Sequence, residues 1–253
     1  MNIKPPEKSH VPALKALFAE AFSESSDFID AFFKLGFSKD RALVGFEDEK
    51  LCSMLYWFDV ECRGERLAYI YALATAKTSR GHGYAHALLN EAHRRLASLG
   101  YSHAILLPAS PTLRDYYRSL GYIDGAGINE DQVSADESPV AIRRLTLTEY
   151  LTDRRRRLPS DAVIEEGAIA ELLAFDAEFY TGEDFLLAAR RDGDIFFAIE
   201  LLGDSSLAPA ILASLGYAKG RFRSIGDGRP FAMYCPLSPS ANPPAHFGIA
   251  LDV

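Results

Sequence analysis

Leu67 to Ala76 runs without a single charge, and Gly83 to Leu99 repeats its apolar side chains at helical spacing. The first run reads as a strand buried on both faces, as at the centre of a covered sheet. In the second, Ala85, Leu88, Leu89, Ala92, Leu96 and Leu99 share one face while Glu91, Arg94, Arg95 and Ser98 take the other, the pattern of an amphipathic helix. Between the two stands Arg80-Gly81-His82-Gly83-Tyr84-Ala85. A strand that enters a helix in this way gathers backbone N–H groups at the positive end of the helix dipole. Glycines at 81 and 83 let a ligand reach that backbone, and Arg80 adds charge-assisted donors. The His82 side chain is expected to point away, leaving its N–H to contribute. The segment predicts a phosphate-bearing ligand.

Two familiar phosphate loops do not match. A dinucleotide fingerprint requires a third glycine where His86 stands, and no glycine-lysine pair followed by serine or threonine occurs. The chain is acidic, with a net charge of −8, which disfavours nucleic acid as a partner and slightly favours a cationic one. Cys52, Cys62 and Cys235 form no CxxC or Cys/His cluster, so neither a disulfide framework nor a zinc site is expected. Met1 to Lys8 lacks an apolar signal core and no run is long enough to span a bilayer. A cytoplasmic location away from membranes is the expectation.

Apolar periodicity predicts a short strand at Asn2-Ile3-Lys4 and helices at His10–Phe22 and Asp27–Leu35. Strands follow at Ala42–Phe46, Leu51–Val60 and Leu67–Ala76, then the helix to Leu99, capped by Gly100. His103–Leu107 is a further strand and Pro111–Leu120 a helix closed by Gly121. The order implies an α/β fold with a mixed, mostly antiparallel central sheet flanked by helices. Domains at residues 1–125 and 126–253 are expected. In the second, Gly125–Pro139 reads as a loop, Ala141–Leu147 as a strand, and Thr148–Leu158 as a helix whose Arg154–Arg157 run is a solvated end. A helix at Ala168–Phe179, a strand at Asp194–Leu202, a helix at Ser206–Leu215 and strands at Lys219–Ile225 and Pro230–Cys235 complete the chain.

One repeat bears on the second half. Leu96-Ala97-Ser98-Leu99-Gly100-Tyr101 recurs as Leu212-Ala213-Ser214-Leu215-Gly216-Tyr217, each at a helix end before a strand. Two glycine caps account for it, as does an ancient duplication with a decayed second copy. In such a copy Glu200-Leu201-Leu202-Gly203-Asp204 falls around the place of the glycine loop. It lacks paired glycines and carries two carboxylates that repel a pyrophosphate, so a single cofactor site, in the first half, is expected.

Arg80, Gly83 and Ala85, followed at a strand's remove by Tyr116-Tyr117-Arg118-Ser119-Leu120-Gly121-Tyr122, resemble the two hallmark motifs of the GNAT superfamily of acyl-CoA-dependent N-acyltransferases. The resemblance covers Met1 to Ile123. The whole chain is also similar to bacterial GNAT-related proteins with an extra C-terminal half, through Gly228-Arg229-Pro230-Phe231-Ala232-Met233. The resemblance implies direct transfer from acetyl-CoA to an amine of a small molecule or peptide. Leu73, Ala74 and Thr75 would pair with the pantetheine and polarise the thioester. Arg80, Gly81, His82, Gly83, Tyr84 and Ala85 would hold the pyrophosphate, and Tyr117 would protonate the departing thiolate. Ser110 stands where many members have a cofactor-contacting asparagine. The family's central-strand glutamate has no counterpart between Leu67 and Thr75, leaving Asp59, Glu61 or Tyr71 as candidate bases. Phe32 and Phe33, with Trp57, Phe58 and Tyr71, are candidates for the acceptor side. A non-catalytic acyl-CoA sensor and a homodimer both stay open.

Overall fold

The computed structural model describes residues 1–193, 195–238, 242–248 and 251. The first half begins with β1 (Asn2–Lys4), α1 (Val11–Phe22) and α2 (Ser26–Ala31), which tightens into a π-helical turn at Phe32–Gly36. Then come β2 (Ala42–Glu47), β3 (Lys50–Cys62), β4 (Glu65–Thr75), α3 (Tyr84–Ser98), β5 (His103–Leu106), α4 (Pro111–Ser119) and β6 (Ile123–Asp124). The second half holds β7 (Gly127–Ser134), β8 (Arg143–Leu145), α5 (Leu147–Arg157), α6 (Ala168–Leu173), β9 (Glu178–Thr181) and β10 (Phe185–Asp192). It continues with β11 (Ile195–Gly203), α7 (Ala208–Leu215), β12 (Lys219–Ile225), β13 (Arg229–Pro230) and β14 (Met233–Pro236).

These strands form two seven-stranded sheets, in the orders β1-β2-β3-β4-β5-β14-β6 and β13-β7-β12-β11-β10-β9-β8. Each contains a parallel pair, β4 with β5 or β11 with β12, beside antiparallel neighbours. Among the described residues two compact units result, one within 1–123 and 233–243, the other within 124–232 and 244–251. Read from β8, the second sheet repeats the first strand for strand, which supports a duplicated architecture. The strand beside each parallel pair is exchanged, however. β7 follows β6 in the chain yet pairs with β12, and β14 follows β13 yet pairs with β5.

The core of the first unit forms where Leu88, Leu89, Ala92 and Leu96 of α3 meet Leu55, Trp57, Ala68 and Ile70 of the sheet. Gly100, at φ +79°, closes α3, and the Tyr101 N–H returns to the Leu96 carbonyl at 3.1 Å. In the second unit Ile211 and Leu212 of α7 pack on Leu187, Phe196, Ala198 and Phe222.

Four expectations for the second half are corrected. Residues 127–134 are a strand despite their polarity, because Glu130 across from β12 is satisfied by Arg223 and Arg229, both at 2.7 Å. The helix expected over 168–179 stops at Leu173, and Glu178–Thr181 turns into β9, paired with β10. β10 itself was not foreseen, since a run buried on both faces has no polar alternation to mark it. The expected strand 230–235 is two strands in different sheets. Asp194, the expected start of β11, lies outside the described residues. The arginine run also differs from expectation: Arg154 is buried, with Arg155–Arg157 more open beside it.

Candidate active site

β4 pairs in parallel with β5 only from Leu67 to Tyr69, and β5 ends at Leu106. Past that point β4 carries a bulge. Met54 faces Ala74 and Tyr56 faces Tyr71, so one extra residue is accommodated opposite Leu55, and Ala72 adopts φ +49°. The two parallel strands therefore part company, leaving the backbone of Leu73, Ala74 and Thr75 without a β5 partner among the described residues. Ala74 is buried, Leu73 and Thr75 half-buried, and the Thr75 hydroxyl is buried without a hydrogen-bond partner. A strand edge of this kind can pair with an extended amide-bearing ligand.

Beyond Thr75 the chain is tied down twice before the glycines. The Ala76 N–H donates to the Cys52 carbonyl at 2.8 Å, and the Lys77 N–H to the Glu20 carboxylate at 2.7 Å. The role of Glu20 was not legible in the sequence, where it is one more acidic residue on an amphipathic helix. Gly81 (φ +82°) and Gly83 (φ +74°) then take left-handed conformations, with open space where a side chain would begin. Residues 80–83 are exposed, and Gly83 is the N-cap of the fifteen-residue α3. Arg80 donates from Nε to the Thr75 carbonyl at 3.2 Å, joining the loop to the end of β4. His82 turns to its own loop, with Nδ1 at 3.3 Å from the Ser79 carbonyl and its ring stacked on Tyr84. Tyr84 is buried at the start of the helix and Ala85 half-buried. Free amides, a helix dipole and an arginine converge here, as a pyrophosphate requires.

Tyr117 lies on α4, a helix begun by Pro111 and capped by Ser110, whose hydroxyl accepts from the Leu113 N–H at 3.2 Å. That capping bond occupies Ser110 in the structure. Tyr117 packs into the core of α3 and the sheet, against the rings of Tyr116 and Tyr122. Burial, with a smaller contribution from Tyr116, pushes its phenol up to about 12. Its hydroxyl has no hydrogen-bond partner among the described residues.

The candidate bases fare differently. Asp59 is held by Arg41 at 3.3 Å and Arg66 at 3.8 Å and accepts from the Tyr101 hydroxyl, so it belongs to a surface ion-pair network. Glu61 is exposed opposite Arg66. Tyr71 stands immediately before the bulge, within the rings of Phe18, Phe32 and Phe58. The acceptor-side candidates also divide by strand alternation. Phe32, Phe33 and Phe58 share the aromatic cluster with Tyr56 and Tyr71, whereas Trp57 points into the α3 core.

The second unit has no counterpart to the loop. Residues 204–207 join β11 to α7 without paired glycines, and β11 and β12 resume pairing at Leu201 and Ser224 after a bulge. Glu200, expected near the loop, is instead inside β11 and buried. It accepts from Tyr150 at 2.6 Å and from Arg154 at 2.6 and 2.9 Å, while Arg154 also meets Glu165 at 2.8 Å. No group of residues able to hold a metal ion, and no helix long and apolar enough to cross a membrane, occurs among the described residues.

Residues 2–123 match the model of the acetyltransferase (GNAT) domain. The match falls within the first unit and spans just under half of the chain, so the first unit is similar to the GNAT acetyltransferase domain of acyl-CoA-dependent N-acyltransferases. Solved structures similar over nearly the whole of this chain include a GCN5-related N-acetyltransferase from Anabaena variabilis, 15% identical over 94% of this chain and 73% of that one, with a TM-score of 0.72. One from Kribbella flavida is 16% identical over 93% and 72%, with a TM-score of 0.70. A putative acetyltransferase from Pyrococcus horikoshii is 15% identical over 93% and 89%, with a TM-score of 0.61. At these identities the likeness is one of fold. No curated protein matches the chain.

Proposed function

We propose that this chain transfers the acetyl group of acetyl-CoA to a primary amine, carried by a small molecule or a peptide, in a single ternary complex. The observation that carries the reading is the parting of β4 from β5 at Tyr69, in line with the glycine loop on α3. Amides of residues 81–85 and the Arg80 guanidinium hold the pyrophosphate, and the free edge of Leu73–Thr75 receives the pantetheine. When bound, acetyl-CoA supplies a thioester whose carbonyl carbon accepts the amine.

The amine nitrogen forms the new C–N bond, the C–S bond breaks, and its electron pair leaves on sulfur. A backbone N–H on the open edge of β4 polarises the carbonyl oxygen. Tyr117 is the proton donor to the departing sulfur in this reading. Burial keeps its phenol protonated at any working pH. The same burial disfavours tyrosinate, so Tyr117 acts first by hydrogen bonding to the thiolate, with transfer completed as the amine loses its proton. β4 carries no carboxylate between Leu67 and Thr75 to take that proton, so it passes to solvent, from which the Tyr117 phenol regains the proton given to sulfur.

The test is thiol release from acetyl-CoA across a panel of amines, with Tyr117→Phe alongside. Loss of a positioned acid lowers turnover by about 10²–10⁴-fold, while CoA affinity stays near that of the parent. Unchanged turnover in Tyr117→Phe would remove the acid role. Tight CoA binding without turnover on any amine would instead favour an acyl-CoA sensor.

A further inference from the structure

Among the described residues the Tyr117 hydroxyl has no hydrogen-bond partner, so the packing of its neighbours sets where it lies. One of those neighbours is anchored. Tyr122 is buried, its hydroxyl is 2.8 Å from Nε2 of His93 on α3, and the two rings are 5.5 Å apart. Tyr122 is in turn bound to Tyr117 in two ways. Its N–H donates to the Tyr117 carbonyl at 3.1 Å, across the left-handed Gly121 (φ +89°), and its ring meets the Tyr117 ring edge-on at 5.7 Å.

His93 sits on the same rigid helix that begins at the glycine loop, with Leu89, Ala92 and Leu96 around it fixed in the core. A continuous line of contacts therefore joins the phosphate loop to Tyr117: α3, His93, Tyr122, Tyr117. Burial pushes the His93 ring down to about 4, so the imidazole is neutral at working pH and the bond to the phenol persists.

We propose that His93 and Tyr122 are a positioning pair that fixes the Tyr117 ring relative to the phosphate-binding end of α3. Neither touches the reacting atoms. The catalytic consequence rests on the reading of Tyr117 as the acid, whereas the positioning itself does not. A part-buried imidazole-phenol bond is a costly way to pack against a core, since an apolar pair packs there without any need for partners. What it adds is direction: the bond fixes the Tyr122 ring plane, against which the Tyr117 ring lies edge-on.

The experiment compares His93→Leu, Tyr122→Phe and His93→Gln, each alone and in a Tyr117→Phe background. Turnover, acceptor KM, CoA affinity and the ring-flip rate of Tyr117 by NMR are measured in the full chain. His93→Leu and Tyr122→Phe are expected to speed the Tyr117 ring flip. They should also lower turnover roughly 10-fold, less than the approximately 10²-fold cost of a 1 Å misplacement, with CoA affinity and acceptor KM held. His93→Gln, which can still bond the phenol, should recover most of the turnover. In the Tyr117→Phe background none of the three should lower turnover further. Equal losses in both backgrounds, or an unchanged ring-flip rate in His93→Leu, would overturn the positioning role. If Tyr117→Phe alone leaves turnover intact, the acid reading falls, and the ring-flip rates still decide whether the pair positions Tyr117.

Discussion

Arg154→Met should be among the most destabilising substitutions in the second unit. Arg154, Glu165, Glu200, Tyr150 and His246 form one buried cluster built from α5, the segment before α6, β11 and the residues near 246. Arg223 lines the small gap beside it. The Arg154 guanidinium pairs with both carboxylates, Glu165 at 2.8 Å and Glu200 at 2.6 Å, so its removal leaves uncompensated buried charge. Breaking a buried ion pair from one side costs about 3–5 kcal/mol, a large part of the roughly 5–15 kcal/mol that holds a domain together. Glu200→Gln should cost less. It keeps an acceptor for Tyr150 and releases Arg154 to Glu165, so the charge count stays balanced. Urea unfolding, read by hydrogen exchange of β10 and β11, ranks the two variants. A loss below about 1 kcal/mol for Arg154→Met, or a larger loss for Glu200→Gln, would refute the reasoning, because surface pairs alone cost so little.

The same cluster sets a pH dependence with a definite sign. Burial raises the Glu165 carboxyl to about 7, and Arg154 only partly offsets this because Glu200 shares its charge. Stability from a raised group is full below its unfolded pKa, near 4.3, and is lost as pH rises through about 7. Burial acts on Glu200 too, but the Arg154 charge and the bonds from His246 and Arg154 outweigh it and hold that carboxyl well below its usual range. Its contribution is present above the unfolded value and lost as pH falls. The second unit should accordingly lose stability between about pH 5 and 8, and Glu165→Gln should flatten that slope in urea titrations.

Gly83→Ala should weaken CoA binding, because a non-glycine residue at φ +74° costs about 1–2 kcal/mol; calorimetry showing unchanged affinity would mean that the loop geometry is not required. Arg80→Ala should lower CoA affinity by roughly 10-fold or more, as charge-assisted hydrogen bonds are worth about 1.5–3 kcal/mol, with a smaller effect on phosphate-free pantetheine thioesters measured in the same way.

The sequence made the first unit legible because its elements obey one period each. The α3 stripe, the charge-free run Leu67–Ala76 and the glycine caps left little room for another reading, and the observed boundaries fall within a few residues of those expected. The loop and Tyr117 were visible as local patterns. The bulge at Ala72 was not, since an alanine at positive φ leaves no compositional trace. Nor was the Lys77–Glu20 tie, which joins residues far apart in the chain. In the second unit the same logic failed where polarity and burial disagree. β7 is polar because its partners are arginines, and Arg154 is buried because Glu165 and Glu200 meet it. Such pairings are tertiary facts, and no window along the sequence contains both partners.

The exchange of β7 and β14 bears on how far the first unit can stand alone. β14 lies between β5 and β6, and Met233 and Tyr234 are fully buried there. A chain ended near Asp124 keeps every motif of the acetyltransferase domain yet lacks this strand. It exposes the edge of β5 and forgoes the burial of two large side chains, about 3–6 kcal/mol at 1.5–3 kcal/mol each, in addition to four residues of pairing. An exposed apolar edge beside a parallel pair is also a template for association. The truncated chain should therefore aggregate or bind CoA poorly, and supplying residues 233–236 through a short linker after Asp124 should restore a monomeric, CoA-binding unit. If the chain ended at Asp124 is monomeric, cooperative in unfolding and binds CoA like the parent, β14 is dispensable. The second unit would then be needed for something other than completing the first sheet.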